Sequence, residues 1–274
     1  MSSSVGKVAL CTGAGSIRGI GAGILLALAK KGYRLIVSDL GNNSELQNNG
    51  TATQAMKAVV ASLVAEGAEV RAIPCDVRDE KQVSRMFSET IEAFGRIDVL
   101  INNAGVGYFM RPFVEVPLDE WKQVIDVNLT GTFLCSQEAA KHMISAGNGG
   151  RIINIASQAA KTGFPHLAAY VATKHGLVGL TRSNACELGE YGITVNAICP
   201  NHITTELGEK QNDYYAKFQG LTVSEYLSTM KNRIPMKRHC TVDDVAALAG
   251  FLVSDEAAYM TGEALNISGG EETH

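Results

Sequence analysis

Apolar residues alternate along the chain between two textures. Short runs such as Val8-Ala9-Leu10-Cys11 and Leu35-Ile36-Val37 are separated by longer stretches with helical spacing. That alternation predicts βαβ units on a parallel sheet, because parallel neighbours need a long crossover that is usually a helix. Strands are expected at 7–11, 33–38, 69–75, 99–101, 151–156, 193–198 and 264–267, and helices at 19–31, 51–65, 80–94, 118–145, 168–190 and 242–253. The runs are apolar throughout, so helices should cover both faces of the sheet. The expected fold class is α/β, a doubly wound seven-stranded parallel sheet in one domain over residues 1–274.

Two segments fall outside this rhythm. Residues 41–50 (GNNSELQNNG) form a polar loop rich in turn formers. Residues 206–235 are too long for a simple connector and carry Tyr214, Tyr215, Phe218 and Tyr226, which suggests a helical flap over a site. Thr241 and Asp244 have the spacing of a capping box, a structural use for those polar groups.

Composition narrows the function. With 274 residues and 46% hydrophobic content the chain can bury one sizeable core. Its 24 basic and 28 acidic residues are scattered without long runs, so no nucleic-acid footprint is present. Six separate cysteines (Cys11, Cys75, Cys135, Cys186, Cys199, Cys240) without a CxxC pair read as reduced thiols. No signal-peptide pattern or membrane-length apolar run is visible, so a cytoplasmic protein acting on small molecules is expected, with no nucleic-acid or membrane partner.

Candidate chemistry begins after the first strand. Thr12-Gly13-Ala14-Gly15-Ser16-Ile17-Arg18-Gly19-Ile20-Gly21 leads straight into a helical run. Glycines there let the backbone turn tightly against a pyrophosphate, while the helix N-terminus offers free N–H groups and a favourable dipole. The chain is thus expected to be a dinucleotide-binding Rossmann fold, with Gly13 and the segment Ser16, Ile17, Arg18, Gly19, Ile20 and Gly21 at the cofactor. Asp39, eighteen positions after Gly21, ends the second strand where a carboxylate would accept from the ribose hydroxyls of NAD. Arg18 could instead pair with the 2′-phosphate of NADP. Asp39 carries more weight, because a like charge 4 Å from that phosphate costs about 4 kcal/mol at an effective dielectric of 20. NAD is favoured, with NADP the lesser reading.

Tyr170 and Lys174 lie four apart on an expected helix, hence on one face, a spacing that chance alone could supply. Other residues converge on them. Ser157 follows the fifth strand and Asn102-Asn103-Ala104-Gly105 the fourth, both at carboxyl ends where doubly wound sheets bind ligands. Asn128 sits inside a helical stretch where a buried amide needs partners.

With these motifs in order and at matching spacing, the chain resembles the short-chain dehydrogenase/reductase family over essentially its whole length. The resemblance implies a catalytic tetrad of Asn128, Ser157, Tyr170 and Lys174, with Asn128 retaining a water that links the lysine to solvent. It implies cofactor contacts at Asp76 and Val77 for the adenine, at Asn103, Ala104 and Gly105, at Tyr170 and Lys174, and at Pro200, Ile203 and Thr205. Ser268-Gly269-Gly270 resembles the family's closing strand signature, and family members usually form homotetramers through the helices here at 118–145 and 168–190. Tyrosine ordinarily titrates near pH 10, so the implied base needs the Lys174 ammonium and the oxidised nicotinamide ring to favour its phenolate.

The chain departs from the family pattern in three places. Five residues separate Gly13 from Gly19, two more than the commoner spacing. Asn201 follows Pro200 where the family usually has glycine, and asparagine's tolerance of positive φ would preserve such a turn. The loop after Asp39 is long. The histidines show no metal-ligand spacing, and no metal is expected. Ser157, Gln158, Tyr170 and His202 are the candidate substrate contacts.

Residues 206–235 and 260–270 resemble those of polyol, sugar-alcohol and acetoin dehydrogenases, which implies a small polyol, diol or hydroxyketone. Phe109, Phe164 and the flap aromatics equally suit an aryl or alicyclic secondary alcohol. A non-catalytic dinucleotide sensor is the reading from another class, and the intact tetrad weighs against it. Nucleotide-sugar epimerization would call for a larger C-terminal domain, and enoyl reduction for a different Tyr–Lys spacing.

Overall fold

The computed structural model describes residues 6–41, 51–107, 110–203 and 205–274. Residues 42–50 of the polar loop and Phe109 lie outside the described residues. Seven strands form one sheet: β1 (Val8–Cys11), β2 (Arg34–Val37), β3 (Val70–Ala72), β4 (Val99–Asn102), β5 (Gly150–Ile155), β6 (Ile193–Pro200) and β7 (Ala264–Ile267). Their order is β3-β2-β1-β4-β5-β6-β7 and every pairing is parallel. Chain order reverses direction between β1 and β4, which opens the crevice where such sheets bind ligands.

The helices are α1 (Ile20–Ala29), α2 (Gln54–Ala65), α3 (Glu80–Phe94), α4 (Leu118–Ile125), α5 (Gly131–Ala146), α6 (Ala168–Leu188), α7 (Glu206–Phe218), α8 (Val223–Arg233) and α9 (Val242–Leu252). Successive strand residues feed opposite faces, as the pleat requires. Ala9 and Cys11 pack with α1, α2 and α9 through Leu25, Leu28, Val59 and Leu252. Val8 and Leu10 face α3 and α5 through Phe87, Met86, Ala139 and Met143. Burial of these apolar side chains stabilises the two layers, at about 25 cal/mol per Å² removed from water.

Several expected boundaries shift for local reasons. The third strand stops at Ala72, two residues before Pro74, which has no N–H to donate. Pairing resumes beyond it, where Cys75 N donates to Asp39 O at 2.9 Å and sets Asp76 beside the end of β2. The helix expected over 118–145 is broken by a π-helical turn, Asp126–Thr130. Residues expected as a flap fold into α7 and α8, and α8 opens with a capping box of Thr222 and Glu225. The expected box of Thr241 and Asp244 caps α9. Cys11, Cys75, Cys135 and Cys199 are buried free thiols. No helix among the described residues is long and apolar enough to cross a membrane.

Candidate active site

The turn between β1 and α1 is built against the end of β4. Gly13 has φ +62°, and a Cβ there would lie 2.5 Å from Ala104 Cα, so no larger residue fits. Asn103 Nδ2 donates to the carbonyls of Thr12 (2.9 Å) and Gly13 (2.7 Å), while Thr12 Oγ1 accepts from the N–H groups of Asn103 (3.2 Å) and Ala104 (3.1 Å). The glycine turn and the Asn102–Gly105 element are therefore one construction. Gly21 does not reach the cavity wall; its missing Cβ makes room for Asn103 Nδ2, 2.7 Å from where that atom would be. Gly19 caps α1 with no side-chain hydrogen bond, leaving the first-turn amides for an anion.

Asp39 is fixed by this same turn. Its Oδ2 accepts from Gly15 N at 2.7 Å and its Oδ1 from Leu40 N at 2.7 Å. A Cβ on Gly15 would sit 2.7 Å from Asp39 Oδ2, so only glycine admits the carboxylate. Ile17 is 56% exposed, and neither it nor Arg18 lines the cavity. Arg18 instead pairs with Glu209 on α7. Asp76 and Val77, expected at the adenine, line the same cavity as Asp39. Burial works to raise the Asp76 pKa, but hydrogen bonds from the side chain and backbone of Arg78 hold it below the ordinary carboxylate value.

One cavity of about 550 Å³ joins these residues to Ser157, Tyr170, Lys174, Asn103, Ala104, Gly105, Pro200, Ile203 and Thr205. Its dimensions and glycine-lined cradle fit a nicotinamide dinucleotide, with room for a small substrate at the far end. Ser157 Oγ accepts from Ala159 N at 3.1 Å, which leaves its own hydrogen to donate. Lys174 Nζ donates to Ile155 O at 2.7 Å and lies 5.4 Å from the centroid of the Tyr170 ring. Burial pushes the Lys174 pKa down to about 8. Its ammonium is thus complete below that pH and is lost above it. A reaction at this cavity that draws on the Lys174 charge is expected to show kcat/KM flat below pH 8 and falling above it; a profile still flat at pH 9.5 would refute such a role.

Asn128 lies under the cavity rather than in its wall, and is 1% exposed. Its amide is fully engaged: Nδ2 donates to Val106 O (2.7 Å) and Thr173 Oγ1 (3.2 Å), and Oδ1 accepts from Val106 N (2.8 Å). The π-helical turn that carries it is the kind of helix defect often found at functional sites. Asn102, read with the same element, is structural. Its Nδ2 donates to Ser136 Oγ and Asn154 Oδ1, tying β4 to β5 and α5.

The substrate end is formed by residues the sequence only partly revealed. Gln158 and Phe164 come from the loop after β5, Tyr215 from α7, and Tyr226, Met230 and Arg233 from α8, with Glu271 beside Arg233. Tyr214 and Tyr215 bond to His166 and Pro165 of that loop. Gly107 was not singled out from the sequence, yet a Cβ there would lie 2.2 Å from Tyr170 Cδ2. The signal was only its nearness to Gly105. Thr205 caps α7 through Gly208 N (3.3 Å) while lining the cavity.

The turn after Pro200 departs from expectation. Asn201 is not among the positive-φ residues, which outside glycine are His166 and Lys237 among those described. Its contribution is its side chain, whose Oδ1 accepts from His202 N (2.6 Å) and whose Nδ2 donates to Glu271 Oε2 (2.6 Å). His202 lines the cavity, but its ring also meets His239 edge-on with centroids 6.4 Å apart. Burial and the neighbouring His239 charge push its pKa down to about 4, so it stays neutral at physiological pH. Among the described residues no group of three or more His, Cys, Asp or Glu side chains is arranged to hold a metal ion.

Comparison with known proteins agrees with this construction. Residues 13–272 match a family model described as enoyl-(acyl carrier protein) reductase. The 3-oxoacyl-(acyl-carrier-protein) reductase FabG of Staphylococcus aureus is 38% identical over 267 residues, covering 96% of this chain and 97% of the relative. The crystal structure of NAD+-bound xylitol dehydrogenase is similar with a TM-score of 0.89 at 32% identity, covering 98% of this chain and 100% of that one. An actinorhodin polyketide ketoreductase crystallised with NADPH gives a TM-score of 0.88 at 33% identity, with both chains covered completely. A parallel seven-stranded sheet with its switch point at β1/β4 stands beside a family match over residues 13–272 and a relative 38% identical over nearly the whole chain: the chain belongs to the short-chain dehydrogenase/reductase family.

Proposed function

We propose that the protein interconverts a secondary alcohol and its ketone with NAD as hydride carrier and Tyr170 as the acid/base. The observation that carries this is the Lys174 ammonium, buried at the cavity wall 5.4 Å from the Tyr170 ring centroid, in a cavity also lined by Ser157, whose hydroxyl accepts from Ala159 N and keeps its hydrogen to donate. Bound in the cradle of Gly13, Ser16, Gly19 and Ile20, the dinucleotide supplies the nicotinamide carbon that takes or gives the hydride. In oxidation the carbinol O–H proton passes to the Tyr170 phenolate as the C–H bond is broken; in reduction Tyr170 returns it. Ser157 donates to the substrate oxygen. Lys174, with one hydrogen committed to Ile155 O, keeps two for the nicotinamide ribose and a proton path past Asn128.

NAD is supported over NADP by Asp39, whose carboxylate is held by Gly15 and Leu40, and by Arg18, which is engaged with Glu209. Asp39→Asn keeps an acceptor for Gly15 but loses the charge. It is expected to lower the NAD-to-NADP ratio of kcat/KM by about 100-fold; an unchanged ratio, or a wild type that prefers NADP, would overturn the assignment.

The wall of Phe164, Tyr215, Tyr226 and Met230 supports an alicyclic or aryl secondary alcohol, while Gln158 and the resemblance to polyol dehydrogenases support a small polyol or hydroxyketone. The test is cofactor absorbance at 340 nm, with NAD and NADP in parallel over alicyclic alcohols, aryl alcohols and polyols, and with NADH and NADPH in parallel over 3-oxoacyl thioesters. Absence of turnover throughout would favour the dinucleotide sensor. The same reading has the protein act in the cytoplasm as a homotetramer. Exposed Phe133 and Ile144 on α5 support that assembly, which light scattering tests.

A further inference from the structure

The C-terminal segment crosses back over the site. After β7, Gly269 (φ +61°) and Gly270 (φ +91°) reverse the chain against Ile234 and Pro235; a Cβ on Gly269 would stand 2.8 Å from Ile234 Cγ2. The returning tail is stapled to the body of the protein. Ser268 Oγ donates to Glu272 O (2.9 Å), Glu271 N to Ser268 O (3.2 Å), and Thr162 Oγ1 bonds the Glu272 carboxylate. Glu271 therefore enters the cavity wall from a fixed turn.

Its two carboxylate oxygens reach in different directions. Oε2 accepts from Asn201 Nδ2 at 2.6 Å, at the cofactor end, and Oε1 lies 3.3 Å from Arg233 Nε, on the last turn of α8. Asn201 is the residue at which this chain departs from the family's glycine, and the departure gains its meaning here: the amide anchors Glu271, and Glu271 holds α8. A cation in the last turn of a helix is also favoured by the helix dipole. The helix so held presents Tyr226 and Met230 to the substrate end of the cavity.

We propose that Glu271 is a positioning residue whose carboxylate clamps Asn201 to Arg233 and so holds α8 down over the substrate. Its kinetic half rests on the alcohol–carbonyl reading above; its structural half, the docking of α8, does not. The Glu271 carboxylate accepts a charge-assisted hydrogen bond from Asn201 and forms an ion pair with Arg233, and the two together matter because the helix they hold carries one wall of the pocket.

The test compares wild type, Glu271→Ala, Glu271→Gln and Arg233→Gln by amide hydrogen exchange of residues 223–233, by NADH binding and by steady-state kinetics. Glu271→Ala is expected to speed exchange in 223–233 by about tenfold and to raise substrate KM about tenfold, with kcat changed by less than about threefold and NADH affinity kept. Glu271→Gln keeps a single acceptor oxygen and turns an NH2 donor toward the other partner's N–H, so it should lose the clamp nearly as fully as Glu271→Ala. Arg233→Gln alters an exposed side chain that the fold tolerates and should reproduce the KM effect if Glu271→Ala does not fold. Unchanged exchange in 223–233 for both Glu271→Ala and Arg233→Gln overturns the clamp. Faster exchange in a protein that turns over no alcohol or ketone upholds it and refutes the proposed reaction instead.

Discussion

Tyr170→Phe is expected to lower kcat by about 10³-fold while leaving NAD binding and the unfolding midpoint unchanged, because it removes only the atom that carries the proton. The ring itself packs with Leu167, Ala159 and Tyr215, and a phenylalanine keeps those contacts. Without the phenol, the developing alkoxide retains Ser157 as a donor but has no group to take its proton. The measurement is single-turnover cofactor reduction beside a fluorescence titration of NADH. If the variant kept a tenth of the wild-type rate, the acid/base would have to be another group. If it lost NADH binding as well, the loss of rate would say nothing about proton transfer, which makes the titration the necessary control.

Gly107→Ala should be the next most damaging single change at the site, and it alters no reacting group. Its Cβ would fall 2.2 Å from Cδ2, 2.9 Å from Cε2 and 3.1 Å from Cγ of the Tyr170 ring. These are atoms of a packed ring rather than the far end of a flexible chain, so the contact is not relieved by a simple rotation. The ring is confined on its other sides by the cluster around Leu167 and Ala159, so it or the backbone must shift by a distance on the order of 1 Å, and displacements of that size cost about 10²-fold in rate. The effect should appear in kcat with cofactor affinity retained. A variant within twofold of wild type would mean that Gly107 does not set the ring.

The contrast between these two positions shows what could be read from the chain. Tyr170 can be proposed from the chain because its partners are recognisable by type and spacing: a lysine one helical turn on, a serine at a strand end, an asparagine in an apolar helix. Gly107 was not, because a glycine required by a side chain 63 positions away leaves no local periodic signal. The same holds for Asn201. Its identity suggested a backbone role at positive φ, but the structure uses its amide to hold Glu271, 70 positions on. Arg18 and Ile17 were read as cofactor contacts from their place in the turn, whereas the two-residue expansion carries them outward and Arg18 to Glu209.

By itself the sequence determined the order of the strands, the parallel sheet and the residues proposed to carry the reaction, since alternation of apolar runs, glycine spacing and residue type are local properties. Only the tertiary structure decided how the glycine turn locks onto Asn103, why Asn128 lies in a π-helical turn, and how α7, α8 and the C-terminal tail close one end of the cavity. Those are contacts between segments far apart in the chain. They depend on distances of a few ångströms that packing sets, and no local pattern of hydrophobic and polar residues encodes them.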